Sequence, residues 1–199
     1  MSPIILQTQR LIVRPFIMED LPAIHRILDQ TFGDGTKVGD EAALEERRSW
    51  LQWSMLSQEW FPKMQQPPYG DRAVVLKATG ALIGSFGYVP LLDVYEQLAS
   101  LRTMDQLGGY TTPEVGLFWV IDPDHQRQGY ATEAARAMID QAFTQWRLKR
   151  IIATTACDNL ASQAVMRKLG MRIEGSPLPE PHALQVVGIL ENHSSSVSS

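Results

Sequence analysis

Cysteine is almost absent: Cys157 stands alone among 199 residues. An internal disulfide is therefore impossible, and a cysteine-based metal centre lacks ligands. His25, His125, His182 and His193 share no metal-ligand spacing, so no metal is expected. Charge of one sign is scarce too. Eighteen Lys and Arg against 22 Asp and Glu leave a formal net charge of -4, which gives no electrostatic reason for a nucleic-acid or anionic-membrane partner. No apolar run reaches membrane-spanning length, and the opening MSPIILQTQRLIVRP lacks the basic-then-apolar order of a secretory signal. These absences predict a cytoplasmic protein with no membrane partner. Two nucleotide signatures are also missing: G-x-G-x-x-G does not occur, and no lysine with Ser or Thr closes a glycine-rich loop.

What is present is an ordinary globular composition, 44% hydrophobic and 20% charged. The length suits a single domain, placed at 1–193, with a disordered Ser-rich tail over 194–199. QRLIVRPF (9–16) alternates and ends near a proline, as a first strand does. MEDLPAIHRIL (18–28) sets Leu21, Ile24, Ile27 and Leu28 on one helical face. A glycine-rich loop (32–40) leads to a helix over 41–60, rich in helix formers and stopped by Pro62. Residues 72–90 read as a hairpin turning at Thr79 and Gly80. The stretch 91–112 is long for a connection and is predicted to hold a helix before Gly108. A strand at 114–121, a helix from Gly129 to Trp146, a buried strand at 150–156, a short helix at 158–170 and two closing strands complete the chain.

The chemistry concentrates in HQRQGYATEA, residues 125–134, a turn between strand and helix. A helix N-terminus offers free N–H groups and partial positive charge, and glycine lets a ligand approach the main chain. Together they favour an anion. Taken alone, such a turn is usually only a connection.

Gln126, Gly129 and Ala131 spell Q-x-x-G-x-A, which resembles the pyrophosphate loop of the GNAT superfamily of acyl-CoA-dependent N-acetyltransferases. TQRLIVRPFIMEDLPAI and DNLASQAVMRKLGM are similar to that family's opening strand and helix and to its later helix, in the right order. The branch most resembled holds the ribosomal-protein N-terminal acetyltransferases. The resemblance implies a mixed α/β fold, a central, mostly antiparallel sheet flanked by helices. It implies acetyl-CoA as co-substrate, its pantetheine along Trp119, Val120 and Ile121 and its pyrophosphate on the amides of Arg127, Gln128, Gly129, Tyr130 and Ala131. Asn159 would contact the cofactor arm, an N-cap being the local alternative.

The implied reaction is attack of an amine on the thioester. At neutral pH the neutral fractions of an α-amine and a lysine amine differ by roughly 300-fold, so an α-amine needs less help. Relatives carry a glutamate where this chain has Gly116; Glu114 lies roughly 6.6 Å further out on the same strand face, a candidate base through water or else an exposed edge carboxylate. The family's leaving-group tyrosine is replaced by Met166, with Ser162 as a weak substitute or a capping serine. The acceptor is a protein N-terminus or a small amine. Trp50, Trp53 and Trp60 lie in core, in a homodimer contact or in an acceptor wall. Cys157 reads as a small buried residue. The alternative of another class is a non-catalytic acyl-CoA-binding module.

Overall fold

The computed structural model describes residues 4–33, 35–67, 69–93, 95–102, 110–176 and 185–193. Among the described residues eight strands form a mixed sheet, with helices packed against it, in the order β1-β2-β3-β4-β5-β6-β8-β7. They are β1 (Leu6–Gln7), β2 (Leu11–Arg14), β3 (Gly70–Leu76), β4 (Leu82–Asp93), β5 (Thr112–Ile121), β6 (Arg150–Thr155), β7 (Arg172–Gly175) and β8 (Val186–Glu191). The recorded ladders are antiparallel except β5 with β6, which pair parallel at Gly116 and Ile152. The helices are α1 (Leu21–Phe32), α2 (Glu41–Lys63), α3 (Tyr130–Thr144) and α4 (Leu160–Lys168).

The chain divides into two compact units, Met1–Tyr88 with Phe118–Met138, and Val89–Leu117 with Ile139–Ser199. In the first, α1 and α2 cover β3 through a core of Phe16, Leu21, Ile24, Ile27, Leu28, Leu51, Ala73, Val75, Leu82 and Val120. Each large apolar side chain so buried contributes about 1.5–3 kcal/mol. The two helices start where chemistry dictates: Pro22 sits in the first turn of α1, and Asp40 caps α2 by accepting from Ala42 N at 2.9 Å and Ala43 N at 3.3 Å. Gly84 is required for β4 to reach β5, since a Cβ there would stand 2.3 Å from Val120 O. In the second unit, β6 and β7 flank β8, and Tyr95, Leu98, Leu101, Ile152, Val187 and Ile189 form the core.

Three expectations are corrected. α2 carries Pro62 in its last turn and ends at Lys63; the proline removes one intrahelical donor, and the helix closes just after it with Met64 N donating to Trp60 O at 2.9 Å. β4 continues to Asp93, beyond the expected end of the hairpin at 90; the described part of the 91–112 stretch holds a 3₁₀ turn at Tyr95–Gln97, and residues 103–109, just before and at the glycines where the helix was expected, lie outside the described ones. Cys157 is exposed, in the turn after β6, where its N–H donates to Gln185 Oε1. The proposed tail at 194–199 also lies outside the described residues.

Candidate active site

The turn between β5 and α3 is shaped by side chains that reach it from far along the chain. At its entry Asp122, 1% exposed, caps a 3₁₀ turn (Pro123–His125) by accepting from Asp124 N at 3.1 Å, and it takes an ion pair from Arg26 Nη2 at 2.5 Å. Burial alone would raise the Asp122 carboxyl; the Arg26 hydrogen bond and the Asp124 amide outweigh it and hold the carboxyl below its ordinary value. Gln126 folds back, donating through Nε2 to Ile121 O at 3.0 Å. The motif glutamine thus ties the turn to the strand end.

From there the backbone enters the left-handed region twice, at Arg127 (φ 59°) and Gly129 (φ 84°). An arginine in this conformation is strained, and such strain clusters where a backbone is shaped for a ligand. Residues 126–129 are exposed. Among the described residues the amides of Arg127 to Ala131 find no acceptor, whereas Glu133 N already donates to Gly129 O at 3.0 Å. Five free donors at a helix start fit a diphosphate.

The exit of the turn is clamped by Arg10 and Glu133. Glu133 Oε1 accepts from Thr8 Oγ1 at 2.5 Å and from Arg10 N at 2.8 Å, and Oε2 accepts from Arg10 Nε at 2.7 Å. Arg10 Nη1 donates to Gln128 O at 3.0 Å, and the guanidinium lies 4.4 Å from the Tyr130 ring centroid. Burial would raise the Glu133 carboxyl, but the bonds from Thr8 and Arg10 hold it below its ordinary value.

Of the strand residues expected along the pantetheine, Val120 and Ile121 are buried and Trp119 is half-buried, its ring stacked on Phe86 at 6.4 Å. All belong to the same compact unit as the turn. Glu114, Asn159 and Ser162 belong to the other. There Asn159 Oδ1 accepts from Ser162 N at 3.0 Å, so the N-cap role is present. Both oxygens of Glu114 accept from Arg150, Oε1 and Oε2 each from Nε at 2.9 Å and Oε1 also from Nη2 at 2.5 Å. Arg150 takes three of the roughly four lone-pair sites of this carboxylate. Glu114 is buried, which corrects the reading of an exposed edge carboxylate. Met166 is fully buried. Trp53 and Trp60 are exposed by 61% and 51%, so they are not core, and Trp50 packs edge-on to Phe16. No group of three or more metal-binding side chains occurs among the described residues, nor any helix long and apolar enough to cross a membrane.

Sequence reading missed the clamp, the Arg26–Asp122 pair and the Glu114–Arg150 pair. Their partners lie 36 to 125 residues apart, and no local spacing signals them. The available hint was a glutamate in the first turn of α3, which a helix dipole explains without a partner.

Known proteins resemble this chain in sequence or in fold. Uncharacterized N-acetyltransferase YnaD of Bacillus subtilis (strain 168) is 48% identical over 67 residues, 34% of this chain; the match spans 38% of YnaD's length. An acetyltransferase from Agrobacterium tumefaciens str. C58 shares the fold with a TM-score of 0.66 at 24% identity, over 96% of each chain. The ribosomal-protein-S5-alanine acetyltransferase from Vibrio fischeri shares it with a TM-score of 0.64 at 17% identity, over 96% of this chain and 98% of that one. The Acetyltransferase (GNAT) domain family matches residues 10–172, and the chain therefore belongs to the GNAT acetyltransferases.

Proposed function

We propose that this protein transfers an acetyl group from acetyl-CoA to a primary amine, on a protein N-terminus or a small molecule. The observation that carries the proposal is the run of five free amides from Arg127 to Ala131, held open by the left-handed Arg127 and Gly129. Acetyl-CoA, when bound, supplies an activated thioester. The chain's part is to bind and orient. The turn takes the diphosphate, β5 lays out the pantetheine as an added strand, and the Trp119 amide faces the developing oxyanion.

Deprotonation of the amine is left to solvent in this reading, because Glu114 is engaged by Arg150. An α-amine, with a pKa of about 7.7 to 8.0, tolerates that arrangement best. Thiol departure proceeds without the family tyrosine; the lost general-acid help is worth ~10²–10⁴-fold in rate. Ser162, half-buried in the first turn of α4, is the weak substitute this reading retains.

A second reading, a non-catalytic acyl-CoA-binding module, draws on the same engaged Glu114 and buried Met166. Thiol release from acetyl-CoA in the presence of a panel of peptides and amines separates the two. Turnover with any amine supports transfer, and tight CoA binding with no turnover on every class supports the module.

A further inference from the structure

α2 runs for 23 residues and is apolar on two faces. The inner one is accounted for: Leu51 is fully buried in the core with α1 and β3, and Leu44, Trp50 and Met55 pack against that core. The outer one is not. Trp53, Leu56, Trp60 and Met64 are each more than half exposed, and their steps of three, four and four residues set them on a single stripe. Leu51, two positions before Trp53, falls on the opposite side of a helix with 3.6 residues per turn.

The two indoles of the stripe are held in place. The Trp53 ring meets Phe61 edge-on with centroids 6.2 Å apart. Lys63 Nζ lies 4.7 Å over the Trp60 ring and bonds Glu59 Oε1 at 2.5 Å. Side chains fixed in advance lose less entropy on association, and Trp and Met are enriched where proteins meet.

Direction and charge narrow the occupant. The core that takes the inner face of α2 also holds Val120 of β5, so the stripe turns away from the strand read as the pantetheine track and does not wall the acceptor. Borders of mixed sign, Glu45, Glu46 and Glu59 with Arg48 and Lys63, give no pull toward an anionic bilayer.

The same borders fit a second copy of this chain. Carried toward the N-terminus the stripe continues through the exposed Ser49 and Glu46, and positions 46, 49, 53, 56, 60 and 63 alternate steps of three and four as a coiled-coil seam does. Laid antiparallel on its copy, Trp53 meets the partner's Leu56, Trp60 meets the small Ser49 of the partner subunit, and Glu46 meets the partner's Lys63. Opposite charges then close both ends. A parallel pairing would set Glu46 on Glu46 and Lys63 on Lys63 and would align the two helix dipoles. With up to 250 Å² on each tryptophan, the stripe presents apolar surface on the order of 500 Å². A stable interface takes roughly 800 Å² from each partner, roughly 60% of it apolar, so the stripe supplies the apolar share and Gln52, Glu59 and Lys63 the polar rim.

We propose that α2 is the interface of a two-fold homodimer, in which two copies of the Trp53–Met64 stripe pack antiparallel between paired Glu46 and Lys63. The proposal stands apart from the acetyltransferase reading.

Sedimentation equilibrium at micromolar concentration tests it. The protein is expected to be a dimer, and Leu56→Glu to raise the dissociation constant at least tenfold with circular dichroism and CoA affinity unchanged. Should Leu56→Glu fail to fold, Trp60→Ala is expected to weaken the dimer in the same sense. Glu46→Lys and Lys63→Glu should each weaken it several-fold, and the two together should restore it. A monomer throughout that range overturns the proposal, including one that binds anionic lipid vesicles or one whose acceptor KM rises in Trp53→Ala. So does a dimer that the α2 substitutions leave intact, and failure of the paired charge reversal to restore association overturns the antiparallel register.

Discussion

Arg10 and Glu133 stand 123 residues apart in sequence, and Arg10 Nε meets Glu133 Oε2 at 2.7 Å. The same guanidinium bonds Gln128 O, so one side chain fixes both the first turn of α3 and the loop before it. A phosphate site made of backbone amides depends on such fixing, because free N–H groups bind well only when pre-positioned.

Arg10→Ala is therefore expected to weaken acetyl-CoA binding about tenfold while leaving the fold intact, as suits a side chain 41% exposed. Arg10→Lys should not rescue it, since an ammonium cannot donate to Glu133 and Gln128 in the same fork and also stack on Tyr130. Calorimetry of the three proteins checks this. Wild-type affinity in Arg10→Ala would show that the loop holds its shape unaided.

The Arg26–Asp122 pair should matter to stability more than to affinity. Asp122→Asn leaves a buried guanidinium contact half-made at a site 1% exposed, and a loss of about 2–3 kcal/mol is expected, below the full cost of a broken buried pair because Arg26 is partly solvated. Urea unfolding measures it. A loss under about 0.5 kcal/mol would place the pair among ordinary surface contacts.

For Glu114 the ion pair with Arg150 gives a clear signature. Glu114→Gln should lower the melting temperature and change the rate by a similar factor at every pH. A base would behave otherwise, since its loss slows the reaction at neutral pH far more than at high pH, where the amine is already neutral. A pH–rate profile of the variant decides between them.

Much of this molecule was legible in its sequence, and the boundary has a physical cause. The first strand, α1, the 72–90 hairpin, the β5-turn-α3 unit and the α4 helix follow from period-2 or period-3.6 patterns and from capping residues, all of which act within a few positions. The Q-x-x-G-x-A turn was visible for the same reason. What local pattern cannot encode is a partner contributed by a distant element. Nothing local marks Arg10, Arg26 and Arg150 as partners of Glu133, Asp122 and Glu114; only the fold pairs them. The end of β4 at Asp93 lies past the expected 90 because pairing, not local propensity, decides where a strand ends.

Stability against pH should show two opposed trends. Glu133 is held below its ordinary value near 4.5, so its contribution is present above that pH and is lost as pH falls through the lower folded value. Asp71, on β3, runs the other way. Burial lets its folded carboxyl keep a proton up to about 6 against an ordinary 3.8, so the folded state binds more protons in that window and stability rises as pH falls from above 6 toward 4. Thermal melts between pH 7.5 and 4 should show this rise in the protein and lose it in Asp71→Asn. An identical profile for both would mean that Asp71 titrates as it does in the unfolded chain.

The central claim is that acyl-CoA sits on the amides of the turn between β5 and α3, and amide NMR during a CoA titration tests it most directly. The account predicts that the amides of Arg127 to Ala131 show the largest shifts, at a midpoint matching the calorimetric affinity, and that Gly129→Val abolishes them while the rest of the spectrum stays folded. Saturable CoA binding that leaves those five amides unmoved would contradict it.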